Sequence, residues 1–247
     1  MNKSFLTGLA LVAAANIFWG TMGSAAQYLF SSGSITPLAL TMMRLVAAGI
    51  LLVLCASLVI PRQMWGFFRN WRDMRDIAVN GVLLFGAHST FFEAVYYSNA
   101  GTGAILLTFA PLVTVLYFAL AKHRPVAKRE ALCIALASAG VVLIVTNGSL
   151  TSLRFSPLAV LWGFVSACFY AAYTIQPAAV IRRVGTTPVA GWGILFGGIA
   201  AMILCPPWTV QMSWGIGSLA AFSYIVVAGT VLAFWLFLTG LKKTSPV

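Results

Sequence analysis

The sequence predicts an all-α polytopic membrane protein, and three observations predict it. Apolar residues make up 61% of the 247-residue chain and charged residues 8%, where a soluble domain carries roughly 45–50% and 25%. The apolar residues gather in runs of about twenty, the length that crosses a ~30 Å hydrocarbon core as a helix rising 1.5 Å per residue. The basic residues fall in alternate loops between those runs. With so few charged side chains no solvated surface can be built, so lipid must be the solvent for most of the chain.

Eight spanning helices are expected, near 5–30, 37–60, 77–98, 102–121, 130–147, 157–180, 187–205 and 216–241. The first follows Lys3 and runs through Ala13-Ala14-Ala15 to Phe30 without a charge, which favours a retained helix over a cleaved leader. The second opens on Thr36-Pro37, proline being suited to a first helical turn. The third carries His88 and Glu93, and the fourth and fifth flank a basic cluster from Lys122 to Arg129. Arg182 and Arg183 separate the sixth from the seventh, and the eighth ends near Lys242 and Lys243.

Counting charges by loop fixes an orientation. One face receives Lys3, Arg62, Arg69, Arg72, Arg75, Lys122, Arg124, Lys128, Arg129, Arg182, Arg183, Lys242 and Lys243, thirteen of the fifteen basic residues. The opposite loops, near 31–36, 99–101, 148–156 and 206–215, carry Arg154 alone, and Arg44 lies inside a helix. By the positive-inside rule both termini are cytoplasmic. The same map accounts for the net charge of +11, so no nucleic-acid partner is expected. The cysteines (Cys55, Cys133, Cys168 and Cys205) show no CxxC spacing, which argues for apolar packing and against a disulfide scaffold or metal site.

An internal repeat is also present. Thr36-Pro37-Leu38-Ala39 recurs as Thr187-Pro188-Val189-Ala190, 151 positions on, and Phe18-Trp19 matches Phe169-Tyr170 at the same offset. Phe237 stands opposite Phe91 at an offset of 146. Five helices separate equivalent points, and an odd number inverts the second copy, as in many secondary transporters with a midplane site. The division expected is a first five-helix repeat over 1–150 and a second over 151–247 with three helices, as in a ten-helix protein truncated after its eighth.

These patterns together resemble the EamA-type transporters of the drug/metabolite transporter superfamily. The resemblance spans essentially the whole chain. It rests on Asn16-Ile17-Phe18-Trp19-Gly20, on Pro37 with Met43-Arg44-Leu45-Val46-Ala47-Ala48, and on Glu93-Ala94-Val95-Tyr96-Tyr97-Ser98. Leu106-Leu107 through Ala110-Pro111-Leu112, Gly140-Val141 and Gly229-Thr230-Val231-Leu232-Ala233-Phe234 extend it. One departure is Ala121-Lys122-His123-Arg124, where the family often ends its fourth helix with Leu-Gly-Glu. The resemblance implies a carrier of the bacterial inner membrane exporting small organic metabolites, amino-acid-like solutes or drugs. Alternatives are an inactive fragment of such a carrier and an intramembrane enzyme. The enzyme lacks HExxH, Gly-x-Ser-x-Gly and a pair of membrane aspartates.

Seven residues are candidates for the substrate pathway. Arg44 and Glu93 are the fully charged side chains within spans, and such residues usually line a cavity or find a partner. They lie roughly 10 Å and 8 Å from the outer helix ends at 1.5 Å per residue, so they are expected to be able to meet as an ion pair. Glu93 also suits a polar vestibule or proton-linked site. His88, near the midplane, is the natural proton acceptor near neutral pH, or else a packing residue. Trp19, Tyr96, Tyr170 and Tyr173 offer flat apolar faces with a polar tip for organic solutes. Trp65, Trp71, Trp208 and Trp214 belong to membrane interfaces. No cofactor is expected, although proton coupling would suit His88 and Glu93. Gly193 and Gly197 form a GxxxG-type stripe open either to a homodimer or to packing within the chain.

Overall fold

The computed structural model describes residues 3–121, 123, 125–146, 156–210 and 215–244. Lys122, Arg124, Arg154 and Trp214, used in the charge map and interface assignment, lie outside them. The elements are α1 (Lys3–Ser31), α2 (Pro37–Val59), α3 (Pro61–Gly66), α4 (Trp71–Tyr96), α5 (Ala100–Leu107) and α6 (Ala110–Ala121). They continue with α7 (Lys128–Thr146), α8 (Pro157–Ile175), α9 (Ala178–Val184), α10 (Thr186–Leu204), α11 (Ile216–Val226) and α12 (Ala233–Thr244). A π-helical turn, Val227–Leu232, joins the last two. No strand occurs among the described residues.

Seven segments are long and apolar enough to cross a membrane: α1, α2, α4, α5–α6, α8–α9, α10 and α11–α12. The chain is therefore an all-α, multi-pass membrane protein. The expected fifth span is helical as α7, 19 residues long, but Lys128, Arg129 and Glu130 open it and it is not among the seven.

Two expected helices are broken, each at a proline. Pro111 has no N–H to donate to the Leu107 carbonyl, and its ring crowds that carbonyl. The chain tightens instead, with Thr108 and Phe109 N–H groups donating to Ile105 and Leu106 at 3.0 and 3.1 Å. Pro177 likewise cannot bond the Tyr173 carbonyl, and α8 ends at Ile175. The freed Tyr173 carbonyl accepts from Asn80 Nδ2 at 3.1 Å. A break in one helix thus becomes a tie to another.

Where the sequence predicted a start near residue 77, α4 begins at Trp71, capped by Asn70 Oδ1 accepting from the Arg72 N–H at 3.0 Å. At the end of α1, Gly33 adopts φ +64° and the Ser34 N–H returns to the Leu29 carbonyl at 3.1 Å. That is the left-handed termination glycine permits.

In the bundle, α2 lies along α10, α4 lies against both α8 and α10, and α1 lies against α11 and α12. Close approach needs small residues, because lipid gives apolar helices no solvent-driven reason to associate. A Cβ at Gly81 would stand 2.6 Å from the Gly193 carbonyl oxygen, and one at Gly197 2.5 Å from the Gly81 carbonyl oxygen. The Gly193/Gly197 stripe is therefore occupied by α4 of the same chain.

The two ends of the bundle are tied differently. At the end bearing the basic loops, Arg183 Nε and Nη2 donate to Asp73 Oδ1 at 2.6 Å and Asp76 Oδ2 at 2.8 Å. Trp192 Nε1 donates to the Met64 carbonyl at 2.8 Å within a cluster of Trp65, Phe67 and Phe68. At the opposite end the ties are neutral: Ser34 and Ser218 hydroxyls meet at 2.9 Å, and the Ala100 N–H donates to Gln27 Oε1 at 2.8 Å.

Candidate functional site

A cavity of about 460 Å³ opens between α1, α4, α5, α8, α10 and α12. It is of a size that takes a small organic molecule. One wall is aromatic. Trp19 meets Phe234 edge-on at 5.5 Å and Phe237 at 5.1 Å, and Tyr170 and Tyr173, also in the lining, pack at 5.9 Å. Phe91 completes the apolar lining, and Asn16, Asn80, His88, Ser166 and Thr174 supply polar groups. Asn80 and Ser166 are buried and already engaged, Asn80 with the Tyr173 carbonyl and Ser166 with the Ala87 carbonyl at 2.9 Å. The chamber can thus grip a flat apolar body, with a few polar groups to orient it.

Four of the seven candidate residues, Trp19, His88, Tyr170 and Tyr173, line this cavity. The sequence pairs Trp19/Tyr170 and Phe91/Phe237 also face it together. Tyr96 does not line it: half exposed at the far end of α4, it packs against Phe30 at 5.8 Å and Tyr97 at 5.3 Å.

Arg44 and Glu93 also lie outside the lining, and the expected ion pair is not formed. The reason is helical phase. Phe92, fully buried, stands beneath the guanidinium with Arg44 Cζ 5.1 Å from its ring centre. Glu93 is the next residue, turned ~100° around the helix. Relative to His88 it is rotated by about 140°, away from the cavity face. Depth along the helices had suggested a meeting that azimuth forbids.

Arg44 is the most deeply buried charge described, 1% exposed. Its Nη1 donates to Met22 Sδ at 2.9 Å, while Nε and Nη2 have no partner among the described residues. A thioether is a weak acceptor. Met22 also lines the cavity, so Arg44 sits one side chain behind its wall. A lone guanidinium at such depth costs at least ~2.5–3.5 kcal/mol on insertion scales, offset in part by the cation–π contact with Phe92.

Sequence reading missed Met22, Asn80, Ser166 and Phe234. Asn80 had a signal: with Ala87, His88 and Phe91 it makes an i, i+7, i+8, i+11 stripe, one helical face. Met22 carried none, being one apolar residue among many.

Apolar spanning helices closed around an aromatic chamber define a multi-pass membrane protein with an internal cavity. The chain belongs to the EamA-like transporter family, whose model matches residues 6–146 and again 157–247. It is accordingly a membrane transporter of the drug/metabolite type. Over 234 residues it is 32% identical to the uncharacterized inner membrane transporter YicL of Salmonella typhimurium strain LT2, covering 94% of this chain and 78% of that one. It is 25% identical to the protein PecM of Dickeya dadantii, covering 85% and 68% of the two chains. The uncharacterized transporter sll0355 of Synechocystis is also 25% identical, over 96% and 74%. A crystal structure at 21% identity superposes with a TM-score of 0.62 over 97% of this chain and 79% of its own, sharing the fold.

Proposed function

We propose that this protein is a secondary carrier that exports small organic metabolites, amino-acid-like solutes or drugs from the bacterial cytoplasm by alternating access. The observation that carries the proposal is the aromatic chamber, lined by residues that correspond in the repeat, Trp19 with Tyr170 and Phe91 with Phe237. A site shared by two related halves is what rocking one half against the other would expose to each side in turn.

The packing supports two inverted halves, 1–150 and 151–247. Exchanging equivalent helices turns the α4–α8 contact into the α12–α1 contact, and both are extensive. In this reading α7 crosses as an eighth span, and the loops bearing Arg62, Arg69, Arg182 and Arg183 face the cytoplasm with both termini. The bonds of Ser34 with Ser218 and of Gln27 with Ala100 then close the outer end. His88, in the cavity wall, is the group best situated to couple a proton.

Reconstitution in proteoliposomes tests the proposal. Preloaded aromatic solute should drive counterflow of its labelled form without ATP, and Trp19→Ala and Tyr170→Ala should each lower the rate about tenfold or more, the scale of one lost packing contact of ~1.4 kcal/mol. Counterflow indifferent to both substitutions would remove this chamber from the path.

A further inference from the structure

Arg44 is a buried cation without an anion, and the chain's composition says how few could serve. There are four acidic residues, Asp73, Asp76, Glu93 and Glu130. Asp73 and Asp76 are held by Arg183 at the basic end. Glu130 Oε2 accepts from the Ala127 N–H at 3.0 Å at the start of α7. Glu93 is turned away by the phase that seats Phe92 under the guanidinium. What faces Arg44 instead is Met22 Sδ, at 2.9 Å.

Met22 is in turn a movable side chain in an unusual setting. It lines the cavity and packs on Gly229, where a Cβ would stand 2.9 Å from Met22 Cγ. Gly229 belongs to the π-helical turn, in which the Thr230 hydroxyl donates to the Ile225 carbonyl at 2.8 Å. Methionine is unbranched and adaptable, so a change of its rotamer would take the acceptor from Nη1, the guanidinium atom that lies behind this part of the wall. Nη1, released from Met22 Sδ, and Nη2, which has no partner among the described residues, form the end-on edge of the guanidinium, and that edge can then meet both oxygens of a carboxylate in the fork geometry arginine favours.

We propose that Arg44 is the anion-recognising group of this site, covered by Met22 in the present state, and that its ligands carry a carboxylate on an apolar, aromatic-sized body. The chamber takes the body, with Trp19, Phe91 and Tyr170 around it. The thioether holds the place of the anion until one arrives. That these ligands are transported rests on the carrier reading above; that they bind does not.

Thermal unfolding of the purified detergent-solubilised protein with benzoate, benzamide and benzylamine tests the site. Benzoate should raise the midpoint, and the neutral and cationic analogues should not. Removing the cover should strengthen binding by the fraction of time Met22 blocks it, so Met22→Ala should bind benzoate about tenfold more tightly if the open form is a ~10% minority. Arg44→Gln should abolish the benzoate response, and Arg44→Lys should keep a weaker one. An equal response to benzamide, an unchanged response in Arg44→Gln, or no response in both the natural protein and Met22→Ala overturns the proposal. Met22→Ala decides alone where Arg44→Gln does not fold. Counterflow of an uncharged solute without benzoate binding would refute the anion site and keep the carrier; benzoate binding without any counterflow would do the reverse.

Discussion

Arg183 and Arg44 are the same side chain in opposite circumstances. At the boundary of the bundle Arg183 meets two carboxylates, at 2.6 and 2.8 Å, with its side chain still 34% exposed. In the interior Arg44 meets one sulfur and one aromatic ring. The first is satisfied by the fold itself and acts as a brace between α4 and α9. The second is unsatisfied where leaving a charge alone costs most. A fold that spends two of its four carboxylates on the exposed arginine and none on the buried one has left the buried one for something else.

The largest expected effect comes from cutting the element both regions share. Helix α4 holds Asp73 and Asp76 at one end and Phe92 near the other, and Gly81 between them lets it touch α10. Gly81→Val would drive a branched side chain into the Gly193 carbonyl, and folded, monodisperse protein should not be recovered by size-exclusion chromatography. Recovery of well-behaved protein would mean that α4 and α10 stand farther apart than described.

Next comes the contrast itself. Arg183→Gln takes the arginine from Asp73 and leaves Asp76 with Arg75 alone, 3.1 Å away, and should lower the melting temperature. Arg44→Met, which replaces an unpaired buried charge by an apolar chain of similar length, should leave the melting temperature unchanged or raised, since such exchanges are often neutral or stabilising. Should Arg44→Met prove the more damaging of the two, Arg44 would be a structural residue and the contrast would fail.

The smallest effect is expected at Glu93. Half-buried, outside the chamber and unpaired with Arg44, it should tolerate Glu93→Gln within ~0.5 kcal/mol, the usual range for a site free of special contacts. The pH profile of counterflow sharpens the point. A profile unchanged in Glu93→Gln but altered in His88→Gln would assign proton coupling to the cavity wall.

Much of this was legible in the sequence because lipid imposes simple rules. Length and apolarity marked the spans, and charge marked the loops. Trp19 and Tyr170 were found because the repeat aligned them. What stayed hidden was rotational. Arg44 and Glu93 were matched by depth, and nothing in the pattern said that Phe92 would face the arginine in place of its neighbour. The Asn80 tie to the Tyr173 carbonyl was equally hidden, since it arises from Pro177 breaking a helix that periodicity reads as continuous. The cap at Asn70 was not legible because the first turns of α4 are charged and lie outside any apolar run.

The wide turn at Val227–Leu232 has one more implication. A π turn holds an additional residue relative to an α turn, and each residue advances a helix by ~100°. Everything beyond it on α12 is therefore aimed by arithmetic as well as by side-chain chemistry. Phe234 and Phe237 look toward Trp19 because of how many residues that turn contains. Were it to relax to the ordinary winding, the same helix would swing those rings aside and present a different wall to the solute, with no hydrophobic residue changed.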